Sequence, residues 1–180
     1  MRSLNSVSAK LIQEVTPEKV IKAARQFGVT SPLGNNLSLA LGTSGVSPLE
    51  MASAYSTIAN LGIYNEPYFV ERIEDFKGNP LYENFYHGVQ NYAPKSIYPL
   101  LNMMQGVIDG GTGRIVRQMG FKHPAGGKTG TTNNFKDSWF DGFTKDFSTS
   151  VWVGYDNNEP MIDRHANGLT GASAAAPIWT

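Results

Sequence analysis

The sequence has no cysteine among its 180 residues. This absence excludes disulfide bonds, thiolate metal sites and cysteine nucleophiles. It also has no excess charge of one sign, because 15 lysine and arginine residues balance 15 aspartate and glutamate residues. Nothing therefore predicts a general affinity for nucleic acid or anionic lipid. No apolar run approaches the roughly 20 residues that span a bilayer, and no signal-like segment opens the chain.

What is present is typical of a folded domain. Hydrophobic residues make up 41% of the sequence and charged residues 17%. This composition predicts a single domain with a buried core and argues against disorder. The three histidines, His87, His123 and His165, show no metal-ligand spacing. We therefore expect these histidines in surface or loop roles and not as metal ligands, and no cofactor is expected.

Three patterns in the first third of the chain predict helices. Apolar residues recur at helical spacing over Ser6–Val15. A second helix is expected after Thr16 as its N-cap, ending at Gly28. The segment Ser47–Glu50 has the serine and glutamate of a capping box, which predicts a third helix running to Asn60 or Leu61.

The middle of the chain changes pattern twice. Extended segments Tyr68–Ile73 and Pro80–Tyr82 flank a turn at Lys77–Asn79, which predicts a hairpin. Helical spacing then returns over Ser96–Ile108, and a short helix is expected over Gly113–Met119.

The last third favours sheet, with strands expected at Ala125–Thr131, Ser138–Phe143 and Thr149–Tyr155. Their apolar side chains alternate as in half-buried strands. Asp137 and Asp141, four residues apart around the start of the second strand, are interpreted as turn and solvent residues rather than a catalytic pair. Helices followed by an antiparallel three-strand meander predict an α+β fold.

A Gly-Lys-Thr sequence lies in the first of these strands. A phosphate-binding loop would need a glycine five positions before Gly127, where the sequence has Lys122. Such a loop must also lead into a helix, whereas strand-like sequence follows here. Both observations exclude a nucleotide site.

The same residues fit the Lys-Thr-Gly motif of serine acyl-transferases. Lys128 would place a positive charge beside a substrate carboxylate, an interaction of ~4 kcal/mol at ~4 Å and an effective dielectric constant near 20. Gly130 would allow close approach of a substrate backbone. Thr129 and Thr131, two residues apart, present hydroxyls on one strand face. From the tripeptide alone, an ordinary strand with a surface lysine remains the alternative.

The surrounding sequence resembles class A penicillin-binding proteins, the bifunctional peptidoglycan synthases. Residues 126–155 carry Gly-Gly-Lys-Thr-Gly-Thr-Thr, Phe-Lys-Asp-Ser-Trp-Phe and Val-Trp-Val-Gly-Tyr-Asp. The resemblance is collinear over nearly the whole chain and includes the segments 39–43, 47–52, 111–114 and 175–179.

The resemblance implies roles for individual residues. Ser3-Leu4-Asn5 matches the family's Ser-x-Asn motif, in which the serine helps pass a proton to the departing amine and the asparagine binds the substrate peptide. Ser3, Asn5, Lys128 and Thr131 are accordingly the expected catalytic residues. Thr129, Gly130 and Thr131 are expected to bind substrate, and the Thr131 N–H would form half of the oxyanion hole. The implied fold is that of penicillin-binding transpeptidases and serine β-lactamases.

The family's first motif, Ser-x-x-Lys, is missing, since no serine has a lysine three positions later. Thr16–Lys19 has the spacing but a threonine in first place. We therefore expect residues 1–180 to be a partial transpeptidase domain that begins at Ser-x-Asn and lacks the Ser-x-x-Lys segment and the C-terminal helix. Alone it should be inactive, and its last strand should be an open edge that makes the isolated chain unstable.

The implied function is peptidoglycan D,D-transpeptidation through an acyl-enzyme, as part of a longer synthase. Expected ligands are stem peptides ending in D-Ala-D-Ala and β-lactams. The parent protein would be membrane-anchored and act at the extracytoplasmic face of the bacterial inner membrane, in the periplasm. A non-catalytic β-lactam sensor or binding module, or a serine β-lactamase of the same fold, is the alternative.

Overall fold

Residues 3–180 are described by a computed structural model of the chain. The helices and strands expected from the sequence are present in the expected order, together with further short elements that were not predicted. The α-helices are α1 (Asn5–Val15), α2 (Pro17–Gln26), α3 (Pro48–Ala59), α4 (Pro94–Gly110), α5 (Ile115–Gln118) and α6 (Ala176–Trp179). The strands are β1 (Ile63–Tyr64), β2 (Arg72–Glu74), β3 (Pro80–Glu83), β4 (Val89–Gln90), β5 (Gly126–Thr131), β6 (Asp137–Phe143) and β7 (Ser148–Gly154).

Local signals at the helix ends explain most of these bounds. The predicted capping box of α3 is confirmed: the Glu50 N–H donates to Ser47 Oγ at 3.2 Å, and the Ser47 N–H donates to Glu50 Oε2 at 2.8 Å. The prediction for Thr16 is right in position only. Its φ is 79° and its side chain makes no capping hydrogen bond, because it also ends α1.

The predicted hairpin is present, but its first strand is shorter than expected. Arg72 pairs with Glu83 and Ile73 with Tyr82, whereas residues 68–71 have no strand partner among the described residues. Neither β2 nor β3 has a buried residue, so this hairpin stands on the surface. The pair formed by β1 and β4 was not predicted.

The predicted three-strand antiparallel meander is confirmed, in the order β5-β6-β7. In its register Lys128 lies opposite Asp141, and Asp141 lies opposite Ser150. β6 is therefore the central strand, and β5 and β7 are the edges.

Helices cover both faces of the sheet. This corrects the expectation of half-buried strands for the central strand β6, whereas the edge strand β7 is only partly buried. On one face, Phe143 packs with Tyr55 of α3 and Met104 of α4. On the other, Phe140 packs against α5 and α6, where Trp179 contacts its ring at 5.2 Å between centroids. Successive side chains of a strand point to opposite faces, so β6 supplies both cores. No helix within residues 3–180 has the length and apolar character needed to cross a membrane.

Candidate active site

A groove runs between the β5 edge of the sheet and helix α4. It encloses a cavity of about 400 Å³, whose polar lining residues are Ser3, Thr112 and Lys128. Its apolar wall comes from four residues of α4: Leu100, Met103, Met104 and Val107. The fold thus brings the beginning of the chain, the residues after α4 and the Lys-Thr-Gly strand to one cavity.

Lys128 is half-buried at this cavity. Its Nζ donates to the Thr129 carbonyl at 2.7 Å, which holds the ammonium close to the strand. Loss of hydration lowers the pKa of Lys128, and the nearby Asp141 carboxylate opposes that effect. A cation beside an apolar wall is well placed to attract a carboxylate, because little water screens it.

The two threonines of β5 are held by different partners. Thr129 Oγ1 donates to Thr112 Oγ1 at 2.9 Å, which ties the strand to the turn after α4. Thr131 Oγ1 accepts from the Gly171 N–H at 3.0 Å. That bond uses a lone pair of Thr131 and leaves the hydroxyl proton able to donate to a ligand.

The backbone of Thr131 faces the open edge. The Thr132 N–H donates to the Asp137 carbonyl at 3.1 Å, across the continuation of the β5–β6 register. Hydrogen-bonded and non-hydrogen-bonded pairs alternate along an antiparallel ladder. The pair Thr131 with Ser138 is therefore non-hydrogen-bonded, and the Thr131 N–H points away from β6.

The two remaining predicted residues, Gly130 and Asn5, lie in different surroundings. Gly130 packs against Trp139, where an added Cβ would lie 3.0 Å from the tryptophan Cβ. Asn5 is exposed at the first position of α1 and is not among the residues that line the cavity. The structure thus brings Ser3 and Lys128 to one cavity but does not bring Asn5 into it.

Asp141 corrects the interpretation made from the sequence. It is only 5% exposed, on the central strand, and accepts a hydrogen bond from Ser150 Oγ. Burial raises its pKa to about 6, against the opposing effects of Ser150 and Lys128. Asp137 is half-buried and accepts from Trp152 Nε1 at 2.9 Å.

Thr112 and Asp141 were missed as residues of this region. Thr112 lies in the segment 111–114 that carries part of the resemblance, so a signal for it existed. No sequence signal indicated Asp141, because its burial depends on α3, which is distant in sequence. The exclusion of a phosphate loop agrees with the fold, because β5 leads into a short 3₁₀ turn at Asn133–Phe135. Residues 3–180 contain no group of three or more side chains able to hold a metal ion.

Comparison with known proteins extends these observations over the whole chain. The chain is 35% identical to penicillin-binding protein 1A of Aquifex aeolicus over 177 residues, which is 98% of this chain and 23% of that protein. It is 36% identical to penicillin-binding protein 2D of Bacillus subtilis over 168 residues, 89% of this chain and 23% of that protein. The chain thus spans about a quarter of the length of these relatives.

Solved structures show similarity to the same group of proteins. Penicillin-binding protein 1A from Haemophilus influenzae superposes with a TM-score of 0.87 at 26% identity, covering 99% of this chain and 32% of that chain. The PonA1 protein from Mycobacterium tuberculosis, in complex with penicillin V, superposes with a TM-score of 0.80 at 25% identity, covering 95% of this chain and 50% of that chain. Residues 1–179 match the family described as the penicillin binding protein transpeptidase domain, and the chain belongs to that family.

Proposed function

We propose that residues 1–180 form part of the active site of a serine-type peptidoglycan D,D-transpeptidase within a longer synthase. A serine would attack the penultimate D-Ala carbonyl, forming an ester and releasing the terminal D-Ala. An amine from a neighbouring stem peptide would then attack the ester and regenerate the serine hydroxyl. With water as the acceptor, the same site would act as a carboxypeptidase.

The observation that carries this proposal is the shared cavity of Ser3 and Lys128. The Lys128 ammonium would attract the carboxylate of the terminal D-Ala. The Ser3 hydroxyl would relay a proton to the departing amine. The Thr131 N–H, directed away from the ladder, would serve as one oxyanion donor.

The remaining predicted residues would bind the peptide. Thr129 and Thr131 would offer hydroxyls to the substrate carboxylate, and Gly130 would let the substrate backbone lie against the strand. Asn5 lies outside the cavity lining, and we propose that it reaches the substrate peptide beyond it. No cofactor takes part in this chemistry.

The nucleophile would come from a Ser-x-x-Lys segment outside residues 1–180. Support comes from α1 and its N-cap residue, which together carry an apolar stripe at helical spacing. The members of the stripe are each 43–54% exposed: Leu4, Val7, Leu11 and Val15. An apolar stripe of this kind ordinarily packs against another element. We propose that the segment with the nucleophile covers it and completes the domain.

The proposed ligands are stem peptides ending in D-Ala-D-Ala, and β-lactams as their analogues. Peptidoglycan lies outside the cytoplasm, so the proposed location is the extracytoplasmic face of the inner membrane, with the parent protein anchored there. A β-lactam sensor and a serine β-lactamase are not favoured, because the relatives found are penicillin-binding proteins.

Labelling with a fluorescent penicillin tests this function. In the whole protein we expect rapid labelling of a serine outside residues 1–180. Lys128→Ala should slow labelling by on the order of 100-fold, comparable to loss of one preorganised electrostatic group. Lys145→Ala is the matched control, since Lys145 is exposed in the β6–β7 turn, and its labelling rate should not change.

Two results would contradict the proposal. One is a penicilloyl group located by mass spectrometry on a serine within residues 1–180, whether in the whole protein or in the isolated chain. The other is equal labelling rates for Lys128→Ala and the unsubstituted protein.

A further inference from the structure

A second charged group lies beneath Lys128, and the mechanism proposed above does not use it. Asp141 stands directly across the β5–β6 ladder from Lys128. Residues opposite each other in an antiparallel pair project to the same face of the sheet. Both side chains therefore point toward α3 and α4, with Lys128 at the cavity and Asp141 behind it in the interior.

The surroundings of Asp141 leave Lys128 as its charge partner among residues 3–180. From β7, Ser150 donates a hydrogen bond to its carboxylate. From α3, the buried Tyr55 faces it, and burial together with the Asp141 charge raises the pKa of that phenol. The residues of α4 at the cavity are apolar.

The two charges interact without direct contact. The ion pairs within 4.0 Å among residues 3–180 involve other side chains, so Lys128 Nζ and the Asp141 oxygens are farther apart than that. The interaction still matters because both groups are poorly hydrated. Burial lowers the pKa of Lys128 and the Asp141 charge opposes this, while burial raises the pKa of Asp141 to about 6.

We infer that Asp141 is a positioning residue that keeps the Lys128 ammonium charged and held against β5, ready for the substrate carboxylate. The inference rests on the proposed function, since it gives Lys128 a role in acylation. Asp141 itself touches no substrate and acts through the lysine. Its effect should therefore appear in the pH dependence of acylation.

Asp141→Asn should change the acylation rate in both the acidic and the alkaline part of its pH profile. In the unsubstituted protein, acylation should weaken as Asp141 becomes protonated near pH 6. Asp141→Asn should abolish that inflection. At alkaline pH the acylation rate should fall as Lys128 loses its proton. In Asp141→Asn this fall should occur about one pH unit lower, because an ammonium without its counter-charge loses its proton more readily.

The experiment measures the second-order acylation rate constant for a β-lactam from pH 5 to pH 11 in the whole protein. Asp146→Asn is the matched control: it removes one negative charge at an exposed position in the β6–β7 turn, and it should leave the profile unchanged. Ser150→Ala is a second probe. It removes a hydrogen bond to the carboxylate, so the acid inflection should move to higher pH.

A readout that does not need acylation keeps the two proposals separable. The neutral amine of Lys128 reacts with trace acetic anhydride, and mass spectrometry measures its modification at fixed pH. Asp141→Asn should increase that rate by about 10-fold, the counterpart of one pH unit, and Asp146→Asn should not. Asparagine is nearly isosteric and removes a poorly hydrated charge, so the variant is expected to fold.

Acylation and Lys128 reactivity, measured together, distinguish this inference from the proposed function. Acylation by the unsubstituted protein, with the same pH profile and Lys128 reactivity in Asp141→Asn, would overturn this inference alone. Absence of acylation in the unsubstituted protein would overturn the proposed function. If acylation is absent, unchanged Lys128 reactivity in Asp141→Asn would also show that the Asp141 charge does not affect the protonation of Lys128.

Discussion

At the scale of single residues, Glu50 shows how a buried carboxylate is satisfied by neighbours both near and distant in sequence. It is 9% exposed at the start of α3. Its oxygens accept hydrogen bonds from the backbone and hydroxyl groups of Thr30, Ser31 and Ser47. Burial opposes ionisation, but these donors outweigh it, and the pKa of Glu50 lies well below its ordinary value.

Glu50→Gln should therefore destabilise the domain. The amide NH₂ cannot accept the bonds that one carboxylate oxygen accepts, so buried donors lose their partners at a total cost of about 3 kcal/mol. The thermal transition of the transpeptidase domain, followed by calorimetry in the whole protein, should move to lower temperature. Glu14→Gln, at an exposed position of α1, is the matched control and should leave the transition in place.

The pH dependence of this difference has a defined sign. A carboxylate whose folded pKa is depressed stabilises the fold above its unfolded pKa, and that contribution is lost as the pH falls toward the folded value. The ordinary pKa of Glu50 is 4.5. The difference between Glu50→Gln and the unsubstituted protein should shrink below that pH. A constant difference down to pH 3 would show that the lost contribution is not electrostatic.

The same residue marks the limit of prediction from sequence. The bond between Glu50 and Ser47 was predictable because it is local and follows the capping-box spacing. The bonds to Thr30 and Ser31 were not, since they join α3 to the loop after α2. Asp141 was misinterpreted for a related reason: a strand sequence does not say whether one or both faces are covered.

At the scale of elements, the helices and the sheet were predicted to within a few residues because their signals are local. The capped helix α3 ends at Ala59, within two residues of the expected end at Asn60 or Leu61. The strand β5 begins one residue after its expected start at Ala125. The pair formed by β1 and β4 was missed because two-residue strands leave almost no periodic pattern.

The contact between β5 and the segment Gly171–Ala175 is an element-level feature with a clear test. A Cβ at Gly171 would lie 2.3 Å from the Trp139 carbonyl oxygen and 2.6 Å from the Gly130 carbonyl oxygen. Both atoms belong to the backbone, so the segment would have to move. The hydrogen bond from the Gly171 N–H to Thr131 would be lost with that movement.

Gly171→Ala should therefore lower both stability and acylation. We expect a destabilisation of about 1–3 kcal/mol from overpacking. Displacement of Thr131 should reduce the acylation rate on the order of 100-fold, since small misplacements at a site have effects of that size. Gly45→Ala is the matched control, because a Cβ there meets nothing within 4 Å. Equal acylation rates for Gly171→Ala and Gly45→Ala would refute the proposed support of Thr131.

At the scale of the whole molecule, two exposed surfaces decide how residues 1–180 should behave in isolation. One is the apolar stripe of α1 described above. The other is β7, whose outer backbone groups have no strand partner among residues 3–180. An unpaired strand edge is a template for pairing with another chain, and an exposed apolar stripe favours association as well.

We therefore expect the isolated 180-residue chain to self-associate at micromolar concentrations, as measured by size-exclusion chromatography with light scattering. Thr149→Lys places a charge at an exposed position of β7, and Leu11→Lys places one in the α1 stripe. If the strand edge drives association, Thr149→Lys should restore the monomer and Leu11→Lys should not; the reverse pattern would identify the helix. A monomeric chain with one cooperative thermal transition would contradict the expected self-association, because the β7 edge and the α1 stripe would then remain exposed to water in a stable fold. That result would also remove the support that the α1 stripe lends to a covering segment with the nucleophile.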